Sequence, residues 1–181
     1  MVVSRALYRL RQVGLALYGR AGVVDLALAR ALLGEELYAL FVQMRPGEQA
    51  HSLDVLRKLD EPGIPAALRQ AALLHDVGKS RRPLRLWERA WIVICKALAP
   101  QAARRWGQAA ADLSSLPGWQ QPLAVAELHP AWGAEMAEKA GADQIVVNLI
   151  RAHQNPPPAA AELGAEFSVW LRRLQAADDE S

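Results

Sequence analysis

The chain is predicted to fold as an all-α protein. Three observations carry this. Apolar residues recur at helical spacing along nearly the whole length, no stretch alternates apolar and polar residues with a period of two, and Gly and Pro mark the breaks between periodic segments.

The elements follow in order. Residues 4–18 carry Ala6, Leu10, Val13 and Leu17 on one helical face. Two helices are expected over 25–33 and 35–44, separated by Gly34, and Pro46-Gly47 then breaks the chain. A helix over about 47–60 carries His51 and stops before Pro62-Gly63. The next, 65–76, carries His75 and Asp76, with Gly78 as its stop. An apolar helix spans 84–98, and Pro100 opens another that runs to about 112. Residues 113–118 read as a loop. Pro130 suits the first position of a helix, which places His129 at its cap and ends the helix at Gly141. A helix over 143–153 stops before Asn155 and three prolines, and a last helix spans about 160–178. Residues 1–45 hold no motif and read as an N-terminal helical extension of a domain that covers 46–181.

The composition excludes several classes. With 52% apolar and 22% charged residues in 181, the chain has enough apolar surface for a core and is not a disordered polymer. Its net charge of +2 gives no argument for nucleic acid. Arg outnumbers Lys by 17 to 4, from which no function follows. The single Cys95, in an apolar run, cannot form an internal disulfide. Arg5, Arg9 and Arg11 interrupt the N-terminal apolar residues, so there is no signal-peptide core. No apolar run approaches the roughly 20 residues that span a bilayer. A soluble, cytoplasmic protein is expected. The six tryptophans are assigned mostly to the core.

The histidines hold the chemistry. There are four, His51, His75, His129 and His153, and an acid, Asp76, follows His75 directly. Leu68, Ala71 and Ala72 lead to His75 along one helix face. Val146, Leu149 and Ile150 lead to His153, and Phe167, Leu171 and Leu174 lead to Asp178. Each apolar stripe ends in a polar group where it should face the core, and a buried carboxylate needs a partner or a metal. Taken singly, each has a plain structural reading: a hydrogen-bonded core histidine, a helix cap, a terminal acid. Taken together they form a donor set for a metal.

The order His51, His75-Asp76, Asp178 resembles the signature of the HD superfamily of metal-dependent phosphohydrolases. The local strings resemble it as well: Gln49-Ala-His51-Ser-Leu53, Ala71-Ala-Leu-Leu-His75-Asp76-Val-Gly78-Lys79, His129-Pro130-Ala-Trp-Gly133-Ala134, Ile150-Arg-Ala-His153 and Leu174-Gln-Ala-Ala-Asp178. The resemblance covers about 46–181. It implies an all-α bundle around one or two divalent transition metal ions (Mn, Fe, Co, Ni or Zn, with Mg disfavoured by the histidine-rich set). It further implies that His51, His75 and Asp178 hold one ion, that His129 and His153 hold the other, and that Asp76 bridges them and is central to catalysis. Hydrolysis of a phosphomonoester or phosphodiester of a phosphorylated, nucleotide-like small molecule is the implied activity. No Gly-Tyr-Pro string follows His153, where Gln154-Asn155-Pro156 stands instead, so a cyclic-dinucleotide phosphodiesterase of the HD-GYP type is not expected.

Lys79 is the candidate catalytic and substrate-binding cation, and Arg82 is added as a second substrate contact from the run Arg81, Arg82, Arg85, Arg89. A solvated helix face is the favoured reading of those arginines as a group. Arg57, Lys58 and Asp54 are weaker candidates near His51. Two other readings share the ligand set: a di-iron oxygenase, and a regulatory module that binds metal or nucleotide without turnover.

Overall fold

The computed structural model describes residues 24–59, 61–108, 113–155 and 164–181. Among these the secondary structure is entirely helical: α1 (Leu26–Phe41), α2 (Pro46–Leu59), α3 (Ala66–Leu74), a 3-10 segment (Val77–Arg81), α4 (Leu86–Leu98), α5 (Pro100–Gln108), a second 3-10 turn (Leu113–Ser115), α6 (Gln121–Lys139), α7 (Gln144–Ala152) and α8 (Ala165–Asp179). The helix expected over 4–18 lies outside the described residues.

Local chemistry explains several boundaries. Asp25 caps α1, its Oδ1 accepting from the Leu28 N–H at 2.9 Å, an interaction worth about 1 kcal/mol. The backbone of α1 leaves helical geometry at Gly34 (φ 70°, ψ 178°), the break expected from the sequence. Asp143 caps α7 through the Ile145 N–H at 2.7 Å. Glu88 reaches back to the Arg85 N–H at 2.7 Å and starts α4.

One boundary differs from expectation. Pro130 does not open a helix: it lies inside α6, which begins with Pro122 near its N-terminus and runs through His129 without interruption. A proline there removes one backbone hydrogen bond and typically costs about 3 kcal/mol. Tertiary packing offsets that cost, because α6 is the central helix of the molecule, in contact with α5, α7 and the Val77–Arg81 segment.

The main core is built from the stripes named above. Leu68, Leu73, Leu74, Leu149, Ile150, Leu171 and Leu174 are almost wholly buried in one cluster, each contributing roughly 1.5–3 kcal/mol. Ala29, Leu33, Leu37 and Phe41 of α1 belong to the same cluster, so the part of the predicted extension that is described packs into the core of the domain. A small second cluster joins Cys95, Ala103 and Leu123, flanked by Trp91 and Trp106. The tryptophans meet the expectation in part, with Trp91, Trp106 and Trp170 half-buried against the two clusters. None is among the fully buried residues, and Trp87 and Trp119 are exposed. Arg81 stacks over Trp132. No helix among the described residues is long and apolar enough to cross a membrane.

Two glycines set the closest approach in the fold. A Cβ on Gly78 would lie 2.0 Å from the His129 carbonyl oxygen and 2.7 Å from the Gly133 amide nitrogen. Gly78 and Gly133 therefore let the backbone after α3 touch the backbone of α6. That contact carries Asp76 to His129.

Candidate metal centre

Five segments converge. His51 comes from the middle of α2, His75 and Asp76 from the end of α3, His129 from α6, His153 from the end of α7, and Asp178 from the last turn of α8. Three of these positions are helix C-termini, where carbonyl oxygens concentrate partial negative charge and favour a cation.

Asp76 is the centre of the arrangement. It caps the 3-10 segment in the bridge region of backbone space (φ −97°, ψ 1°). Its Oδ1 faces His129 Nε2 at 3.2 Å and His153 Nε2 at 3.9 Å, while Oδ2 faces His75 Nε2 at 3.6 Å. Asp178 Oδ1 lies 2.9 Å from His51 Nε2 and 3.5 Å from His75 Nε2. Two groups of three donors result, His51–His75–Asp76 and Asp76–His129–His153, and they share the carboxylate of Asp76. Around an ion with bonds of about 2.1 Å, neighbouring donors stand roughly 3–3.5 Å apart, and these pairs, at 2.9 to 3.9 Å, bracket that spacing.

The tautomers are fixed by the backbone. His75 Nδ1 donates to the Ala72 carbonyl at 2.9 Å, His129 Nδ1 to Val125 at 3.0 Å, and His153 Nδ1 to Ile150 at 2.7 Å. A carbonyl only accepts, so each Nδ1 holds the proton and each neutral ring turns a lone pair on Nε2 inward. Two consequences test the fit of a metal. His75 Nε2 is buried without a hydrogen-bond partner. His129 Nε2 and His153 Nε2 stand 3.3 Å apart, lone pair towards lone pair. Both are costly unless a cation lies between them. These buried His and Asp groups fit a metal ion on chemical grounds.

Charge in the cluster follows from burial and neighbours. Burial opposes ionisation of Asp76, but Lys79, His75 and His129 outweigh it and hold the carboxyl well below its ordinary range. Asp178 is likewise driven down, by the hydrogen bond from His51 and the facing imidazole of His75, which together overcome its burial. Burial lowers His129, and lowers His153 to about 3 with help from the neighbouring His75 and His129. His75 is raised, because Asp76 and Asp178 overcome its burial. Most of the cluster is thus held in the ionisation state that metal ligation requires.

Beside the cluster lies a cavity of about 390 Å³ into which His51, Asp76 and His129 open. Lys79, Arg89 and Lys96 line it. Lys79 Nζ pairs with Asp76 Oδ2. Arg89 is held by Glu48 at 2.9 Å. Arg82 is placed elsewhere: it pairs with Glu88 at 2.6 Å and Gln121 at 3.2 Å and does not line this cavity. Arg57 pairs with Asp54 on the outer side of α2. Sequence reasoning passed over Glu48 and Lys96. Glu48 is one turn before His51 on the same face, and Lys96 two turns after Arg89, so helical spacing could have found both.

No family model matches the chain, and no curated protein or solved structure matches it either.

Proposed function

We propose that this protein is a metal-dependent phosphohydrolase of the HD type, acting on a phosphomonoester or phosphodiester of a nucleotide-like small molecule in the cytoplasm. The observation that carries the proposal is the position of Asp76. Its two oxygens face two histidine groups, and the same carboxylate opens into a cavity lined by three cations. Bound ions would supply Lewis acidity to water and to the phosphoryl oxygens.

The protein's own residues do the rest. His51, His75 and Asp178 on one side, and His129 and His153 on the other, supply donors for two ions, with Asp76 between them. The carbonyls of Ala72, Val125 and Ile150 orient three of the rings, so little reorganisation is needed on loading. Lys79 and Arg89 offer N–H donors to the non-bridging oxygens of a phosphate beside Asp76. Glu48 holds Arg89 in the cavity wall through a hydrogen bond. Leu84, Ile92 and Val93 form an apolar wall suited to the organic part of the substrate.

The test is a phosphatase and phosphodiesterase screen after loading with Mn, Fe, Co, Ni or Zn, with the metal content of each sample measured. Metal-dependent hydrolysis that disappears in Asp76→Ala is the expected result. A fully loaded protein that hydrolyses no phosphoester would overturn the assignment in favour of a regulatory metal-binding module.

A further inference from the structure

The cavity at the metal cluster does not stand alone. A second one, also of about 390 Å³, adjoins it, and Lys96 and Gln154 line both. Arg104 of α5 and Arg151 of α7 complete a set of three cations drawn from three different helices. One carboxylate in this cavity, Glu127, stands 3.1 Å from Lys96 Nζ and neutralises it. Arg104 makes no ion pair among the described residues. The partner of Arg151, Glu138, is 4.0 Å away, with both side chains more than half exposed. Such a pair is worth little. Two positive charges are left over in a concave site that continues from the candidate active site. Concavity strengthens the field they produce.

We propose that this second cavity is an anion subsite that seats a second phosphate group of an extended substrate, while the phosphate to be cleaved lies beside Asp76. The assignment rests on the hydrolase reading above. Arg104 and Arg151 would clamp the remote phosphate, each able to give paired N–H donors to its oxygens. Lys96, shared by both cavities, stands where the linking part of the substrate must pass, as does the amide of Gln154. A single phosphate on a short organic group would leave Arg104 and Arg151 unused. The preferred substrates are therefore those with anionic groups separated by several bonds, such as oligophosphate chains or doubly phosphorylated nucleotides.

Binding of inorganic tripolyphosphate to protein stripped of metal tests this apart from catalysis. Without ions, the cations of the main cavity stay paired, Lys79 with Asp76 and Arg89 with Glu48, so the unpaired cations of the subsite dominate binding. Titration calorimetry should show one saturable site. Arg104→Glu with Arg151→Glu should weaken it about tenfold or more, the scale of losing charge-assisted hydrogen bonds. Arg104→Gln with Arg151→Gln should weaken it in the same direction and guards against misfolding of the reversed-charge protein. Lys139→Glu with Arg172→Glu changes net charge equally at exposed positions outside both cavities and should leave binding unchanged. No saturable binding, or equal losses in the subsite and control variants, overturns the subsite. The hydrolase assignment would survive that result, because it is judged by metal-dependent turnover.

Discussion

His129 and His153 face one another through their Nε2 atoms at 3.3 Å, while each commits its Nδ1 proton to a carbonyl of its own helix. Two imidazole lone pairs at that distance repel unless a cation joins them. The pair therefore stores part of the free energy of metal binding as relief of a local cost.

Metal should stabilise the fold measurably. Loading stripped protein at a hundred times the dissociation constant gives about 2.7 kcal/mol, which for a chain of this size raises the Tm by roughly 5–10 °C. Differential scanning fluorimetry with Mn, Fe, Co, Ni or Zn checks this. A Tm that none of these ions moves would count against the centre.

Stoichiometry separates the two donor groups. His129→Ala or His153→Ala should lower bound metal from near two ions to near one, because the group containing His51 and His75 remains intact. Asp76→Ala should remove most of both, since its two oxygens serve both groups. Elemental analysis, with circular dichroism as a control for folding, gives the answer. Retention of two ions in Asp76→Ala would show that the bridging role is wrongly assigned.

Gly78→Ala should be far more damaging than Gly47→Ala. The added methyl at 78 would strike the backbone of α6 at His129, whereas at 47 nothing lies within 4 Å. Separating the 3-10 segment from α6 also moves Asp76 away from His129. We expect a loss of about 3 kcal/mol or more with reduced metal content for Gly78→Ala, and a change within about 1 kcal/mol for Gly47→Ala. Urea denaturation of both variants is the measurement.

Stability of the stripped protein should fall on acidification. His153, lowered to about 3 from an ordinary 6.5, binds fewer protons folded than unfolded between those values, so folding loses stability as pH drops through that window. His129 acts in the same sense. Asp76 and Asp178, both depressed, add losses at lower pH, as each is protonated in the unfolded chain before the folded one. His75, raised, opposes this: its contribution is complete below 6.5 and vanishes as pH rises through its folded value. Each group contributes at most about 1.4 kcal/mol per pH unit. His153→Ala should give a shallower decline between pH 6.5 and 4, and an unchanged slope would refute the assignment.

Lys79→Ala should keep bound metal but reduce kcat/KM about 10–1,000-fold, the scale of losing one charge-stabilising donor. Lys79→Arg should recover part of this. The ion pair with Asp76 adds a second expectation, a modest drop in the stability of the stripped protein, because a buried carboxylate loses its cation. Unchanged turnover in Lys79→Ala would remove it from the mechanism.

Helical class and the buried His/Asp cluster were legible in the sequence, for a physical reason. Periodicity reports which side of a helix is apolar, and a polar group that ends an apolar stripe must be buried with it. Leu68, Ala71 and Ala72 place His75 inward, and Val146, Leu149 and Ile150 do the same for His153. Asp25, Gly34 and Asp143 act within a few residues of themselves, so their effects on the chain could also be read locally. Other features belong to contacts between distant segments. Pro130 suggested a helix start by its local chemistry, and the packing of α6 against its neighbours overrode it. Gly78 suggested a helix stop, but its larger role is to admit the backbone of His129, which lies 51 residues away and leaves no local trace. The partition of cations was likewise decided by tertiary structure: Arg82 turned to Glu88, while Arg89 and Lys96 reached the cavity. Spacing along one helix says which residues share a face. Which neighbour that face meets depends on the sum of all the packing.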